Sequence, residues 1–193
     1  AELTFKVFPR PTSTRTLRLE ANDDAAKAKI LTECAGTRWE LDALDAAVGE
    51  PVVYARLGGP ATALEALGAE ILARFPGTTL ADDVAQDFWR TIGEFRWAPV
   101  GGTLAKLAIM PLQVPEFSAW VRGQAGARGW VSSGGNVGYV ALEPGAAMAA
   151  AKWPGMTLRG EGALWLGPRR DFAVMRAVKA ALDAHGRFPT LDE

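Results

Sequence analysis

Three cationic side chains, Lys6, Lys106 and Arg96, have the type and surroundings that suit binding chemistry. Lys6 lies in LTFKVF and Lys106 in TLAKLAIM, two strand-like runs each ended by a proline. Charges in such apolar runs are rarely buried without a partner. Turned toward a free sheet face, each lysine would meet a carboxylate. On a solvated face each would instead snorkel, stem on the sheet and head in water. Arg90 adjoins Trp89, and Arg96 adjoins Trp97. An arginine among aromatics clamps a carboxylate or stacks on a ring, or it snorkels from an aromatic core.

Other chemistries find little support. One histidine and one cysteine provide no metal-ligand spacing, and no Gly-x-Ser-x-Gly accompanies His185 as a base. His185 falls in a turn and is expected at the surface. Cys34, in an apolar helical context, is expected to be a buried, inert thiol, and a single cysteine fits a reducing, cytoplasmic setting. Glu40, Asp42 and Asp45 make an acidic strand edge that is expected to be solvated. A net charge of -1 supplies no electrostatic case for nucleic acid. No apolar run reaches the ~18 residues of a membrane span, so no membrane insertion is expected. The chain opens directly in a strand-like run without an initiator Met, which suggests a processed or excised fragment.

The elements that must position these residues alternate along the chain. Strand-like Leu3–Phe8 is followed by a short β-like run at Thr16–Leu19. Asn22, with Asp23 and Asp24 behind it, opens a helix to about Ala35. Trp39–Val48 and Val52–Leu57 flank Gly49-Glu50-Pro51 as a hairpin, and Ala61–Phe75 is helical, ended by a Pro76-Gly77 turn. A helix from Asp82 or Asp83 to about Phe95 leads to the break at Pro99 to Gly102. Strand Thr103–Met110, helix Pro115–Gly123 and a hairpin around Gly134-Gly135 follow. Ala146–Ala151 is a short helix or loop, Met156–Arg159 and Ala163–Leu166 are short strands, and an apolar-periodic helix closes the chain. PVVYARLGGPATAL and NVGYVALEPGAAMA echo one another, a strand with a central tyrosine and then a Gly/Pro break. The expected fold is therefore α+β: two ferredoxin-like βαββα halves, residues 1–98 and 99–193, with mainly antiparallel sheet and helices on one face.

The closing stretch, RDFAVMRAVKAALDAHGRFPTLDE, resembles the end of the FAD-linked oxidases of the vanillyl-alcohol oxidase superfamily. Lys179, Leu182, Asp183, Gly186 and Pro189 stand where that pattern has Lys, Leu-Asp, Gly and Pro; Ala184, Phe188 and Thr190 depart from it. TFKVFPRP is similar to the strand that enters the C-terminal cap domain of these enzymes. Among subfamilies the small FAD-binding subunit of bacterial glycolate oxidase looks nearest, with Lys106 where an Arg would be and its Trp absent. The resemblance implies a cap over a flavin site, oxidation of a small 2-hydroxy acid such as glycolate, and inactivity without an N-terminal FAD-binding half. It implies FAD held mainly by that other domain, other oxidase subunits as possible partners, and a carboxylate substrate bound by Lys106, Arg96 and Lys6. It assigns no catalytic residue, since the His-rich motif of catalytic members is missing here. The alternative is a non-catalytic ferredoxin-like module for ligand binding or subunit assembly.

Overall fold

A computed structural model describes residues 10–168 and 171–187. Its centre is a nine-stranded sheet in which every described pairing is antiparallel. The first unit runs β1 (Ser13–Glu20), α1 (Asp24–Ala35), β2 (Leu41–Ala47), β3 (Val52–Gly59), α2 (Ala61–Arg74) and β4 (Gly77–Thr79). Then α3 (Asp82–Gly93) leads to β5 (Thr103–Ala108), α4 (Val114–Arg122), β6 (Arg128–Ser132), β7 (Val137–Leu142), β8 (Gly155–Arg159), β9 (Trp165–Leu166) and α5 (Phe172–Leu182). The spatial order is β4-β1-β3-β2-β6-β7-β5-β8-β9. The first four strands and β6-β7-β5-β8 thus repeat one ferredoxin-like arrangement, the two units meeting edge to edge where Ala46 faces Val131 and Ala47 faces Trp130. The class is α+β with two such halves, as the strand and helix spacing predicts.

Local chemistry explains most of the elements. Asp23, rather than the expected Asn22, caps α1: its Oδ1 accepts from the Ala26 N–H at 2.7 Å. β1 takes a central place in the first unit, and the expected Leu3–Phe8 strand, with Lys6, lies outside the described residues. At Pro76-Gly77 a turn was expected; the chain instead enters the edge strand β4, where Gly77 faces Leu19. A Cβ on Gly77 would stand 2.3 Å from the Arg18 carbonyl oxygen, so only glycine allows that approach. In the second unit the stretch between β7 and β8 stays irregular rather than forming a second helix. Pro144-Gly145 and Pro154 bracket it, and alanines provide no apolar stripe wide enough to hold a helix on the sheet.

Helices α1, α2 and α4 cover one face of the sheet. The core between them is continuous across both units, from Leu17, Leu31 and Ile71 to Leu107, Phe117 and Val140. Strand alternation sends the neighbours of these residues to the opposite face. There α3 lies across the first unit and the seam, its Phe88, Trp89 and Ile92 packed on Val52, Tyr54 and Trp130. Gly138 shows how tight the helical side is: a Cβ there would come 2.7 Å from the Phe117 ring, itself fully buried. Gly138→Ala is expected to cost about 1–3 kcal/mol by overpacking, read as a lower urea midpoint; an unchanged midpoint would mean that the ring has room to shift.

Two loose ends of the fold bear on function. None of the α5 side chains is fully buried, and Val174, Val178 and Leu182, spaced by four, are 60%, 52% and 82% exposed. This is an apolar helix stripe without a described partner. Past α5, Asp183 ties the turn together: Lys179 Nζ reaches its Oδ2 at 2.7 Å, and the Arg187 N–H donates to its Oδ1 at 2.6 Å. Gly186, at φ 60°, closes that turn through an N–H to the Asp183 carbonyl.

Candidate functional site

The face opposite α1, α2 and α4 carries the chemistry. Register aligns one row of residues across six strands: Ala47, Trp130, Tyr139, Lys106, Met156 and Trp165. Neighbouring strands are ~4.8 Å apart, so Tyr139 and Lys106 stand side by side. Two cavities flank this pair. One, of about 360 Å³, lies beside α3; the other, of about 510 Å³, lies beneath α5.

The cavity beside α3 is lined by Asp45, Arg56, Trp89, Phe95, Trp130 and Tyr139, among others. Asp45 is 4% exposed, contrary to the expectation of a solvated acidic edge. The reason is tertiary: β2 pairs with β6, which delivers two donors to the carboxylate. Trp130 Nε1 donates to Oδ2 at 2.8 Å and Ser132 Oγ to Oδ1 at 2.9 Å. Burial raises the Asp45 pKa above its ordinary value, and these bonds, with the nearby Ser133 backbone, offset part of the rise. The Tyr139 phenol is also pushed up, first by burial and then by the Asp45 charge. Glu40 and Asp42 are exposed, as expected.

Arg56 faces this cavity with its Nε buried and without a hydrogen-bond partner, and it makes no ion pair among the described residues. Trp89, also lining this cavity, is held by a 2.8 Å bond from Nε1 to Thr16 Oγ1. Phe95 and Ser133, both at the cavity, take left-handed backbone conformations at φ 53° and 55°, a strain of order 1 kcal/mol or more each.

The cavity beneath α5 has a different character. Among the described residues Lys106 is the only charged one lining it; Asn136 adds an amide, and Val137, Met156, Trp165, Phe172 and Met175 supply apolar wall. Lys106 is exposed and has no ion pair among the described residues. Arg96 does not line this cavity; it is exposed beyond α3 and donates to Glu94 Oε2 at 2.7 Å. Lys106 and Arg96 are therefore not brought together here, and Lys6 lies outside the described residues.

Sequence reasoning missed Asp45 and Arg56 as cavity residues, and noticed Tyr139 only as part of the repeat. Their one advance signal was strand alternation, which places Asp45 on a face with Ala43 and Ala47 but does not say what covers it. Cys34 is buried, and burial followed by the Glu33 charge pushes its thiol up to about 11, so little thiolate exists near neutrality. His185 is exposed in its turn. Among the described residues no group of three or more His, Cys, Asp or Glu side chains could hold a metal ion, and no helix is long and apolar enough to cross a membrane. Comparison of the chain with protein-family models and with curated proteins gives no match.

Proposed function

We propose that this chain is the cap domain of an FAD-dependent oxidoreductase acting on a small 2-hydroxy acid, its two halves (1–98 and 99–193) together forming one wall of the substrate pocket. The observation that carries the reading is Lys106: a cation with no ion pair among the described residues, lining a mainly apolar cavity on the sheet face that α1, α2 and α4 leave free. The similarity of the α5 segment to the closing segment of FAD-linked oxidases supports it. So does the exposed apolar stripe of α5, which suits burial against an FAD-binding domain.

The described residues do not form a cradle for FAD. Gly58 and Gly59 end strand β3 against Asp42 and Leu64, and Gly135 is packed on Pro111. The cofactor would be held by the other domain, where it supplies the hydride acceptor. This chain's part is to hold the substrate carboxylate at Lys106 and to keep water from the reacting carbon with the apolar wall around it. Arg96 and Lys6 remain further candidates for that carboxylate, other oxidase subunits remain candidate partners, and a cytoplasmic location belongs to the same reading.

The test is the absorbance spectrum of the complete native product of this reading frame. Flavin bands that bleach on anaerobic addition of a 2-hydroxy acid are the expected result, with Lys106→Met raising KM far more than it lowers kcat. A colourless product overturns the oxidase. It would favour the second reading, a non-catalytic ligand-binding module. That reading draws on the cavity beside α3, built wholly from this chain's residues around Asp45 and the unpartnered Arg56 Nε.

A further inference from the structure

We infer that the cavity beneath α5 selects a carboxylate bearing an apolar body of several carbons, gripped at its charged end by Lys106. The inference rests on the same Lys106 cavity as the proposed function and goes further, by naming what the rest of the ligand must be. The cavity, of about 510 Å³, falls in the size range of small-molecule sites, ~300–1,000 Å³. A one- or two-carbon acid would satisfy Lys106 and leave the wall of Val137, Met156, Trp165, Phe172 and Met175 against water.

Among the described residues the polar inventory is short and one-sided: no carboxylate side chain lines the cavity to compete for Lys106 or repel an anion. Asn136 spends its Nδ2 on the Ser133 carbonyl at 2.9 Å, which leaves its Oδ1 as the acceptor for a ligand hydroxyl. A sugar acid or dicarboxylate would carry several further polar groups against apolar wall with no partner, a heavy desolvation cost. An aliphatic or aryl side chain on the acid pays no such cost and gains burial. Lys106 is itself exposed, with Tyr139 and Met156 as its neighbours on the strand row.

Calorimetric titration of the chain with acetate, butanoate, hexanoate and octanoate tests this directly. Each added methylene should strengthen binding about fourfold, the equivalent of ~0.8 kcal/mol per buried CH₂. Lys106→Met should weaken octanoate at least about tenfold, the loss of one charge-assisted contact, while leaving octanol unchanged. Met175→Glu, which sets a carboxylate into the wall, should abolish octanoate binding. Lys29→Met, on a lysine whose side chain is 74% exposed on α1, should change nothing. Affinity that does not vary with chain length overturns the inference, as does an equal loss in the Lys106 and Lys29 variants. The flavin spectrum separates the two readings. A flavin-bearing product with no chain-length dependence leaves the oxidase standing and removes this ligand class. A colourless product with the dependence intact keeps the ligand class and removes the oxidase.

Discussion

Asp45→Leu should destabilise the protein by about 3 kcal/mol or more, whereas Asp45→Asn should stay within about 1 kcal/mol of the parent. Leucine fills the volume but strands Trp130 Nε1 in a buried place and takes the acceptor from the half-buried Ser132 hydroxyl. Each stranded donor costs roughly 1–3 kcal/mol. Asparagine keeps an acceptor for Trp130, and its amide can donate to Ser132 Oγ once that hydroxyl rotates. Urea unfolding curves of the three proteins measure this, and a leucine variant as stable as the parent would show that Asp45 does not organise the β2–β6 seam.

The acid also fixes a direction with pH. Its folded pKa is raised above the ordinary 3.8, first by burial. The folded state therefore holds the proton more tightly, and the stability this contributes is complete below 3.8 and lost as pH rises through the folded value. Relative to Asp45→Asn, the parent should become less stable across that window. A parent and variant that track each other in parallel would contradict the burial of a titrating carboxylate.

Asp24→Ala is expected to cost about 3–5 kcal/mol, because it abandons a buried charge. Lys27 is 2% exposed, and its Nζ has two partners: Asp24 Oδ1 at 3.0 Å and the Ala47 carbonyl at 3.0 Å. The other Asp24 oxygen takes Arg122 Nη1 from α4 at 2.7 Å. One carboxylate thus ties α1, the end of β2 and α4 together across the seam between the halves. Lys27→Met should be milder, since Asp24 keeps Arg122. The double variant should be more stable than Asp24→Ala alone, since no unpaired buried ammonium remains. A double variant at least as unstable as the sum of the singles would show that Lys27 is not the source of the penalty.

With pH, Asp24 runs opposite to Asp45. Burial alone would raise its pKa, but the bonds from Arg122 and Lys27 and their charges outweigh burial and hold it below 3.8. Its contribution is present above 3.8 and lost as pH falls through the folded value. Acid titration of Asp24→Asn should therefore show a flatter loss of stability than the parent at the low end.

The helices were legible because their signals are local. Acidic residues at the starts of α1 and α3, apolar spacing of three and four along α2, and the Gly/Pro breaks after each lie within one window of sequence. The repeat of strand, helix and hairpin fixed the α+β class for the same reason. The short edge strand β4 was not legible, since Gly77-Thr78-Thr79 has no alternation and becomes a strand only by pairing with β1. Residues 146–151, open between short helix and loop from sequence, are irregular in the fold: their alanines have the propensity, but no stripe to bury.

The site divides along the same line. Residue types and strand alternation by themselves put Lys106 on a sheet face, made it a carboxylate ligand in prospect, and marked Cys34 and His185 as bystanders. Alternation gives a side chain one of two faces but not what stands over that face. Only the packing of α3 and the β2–β6 pairing turned Asp45 from a surface acid into a buried one. That outcome depends on contacts between residues 85 or 87 positions apart, and burial of a charge is decided by such distant neighbours rather than by its own strand.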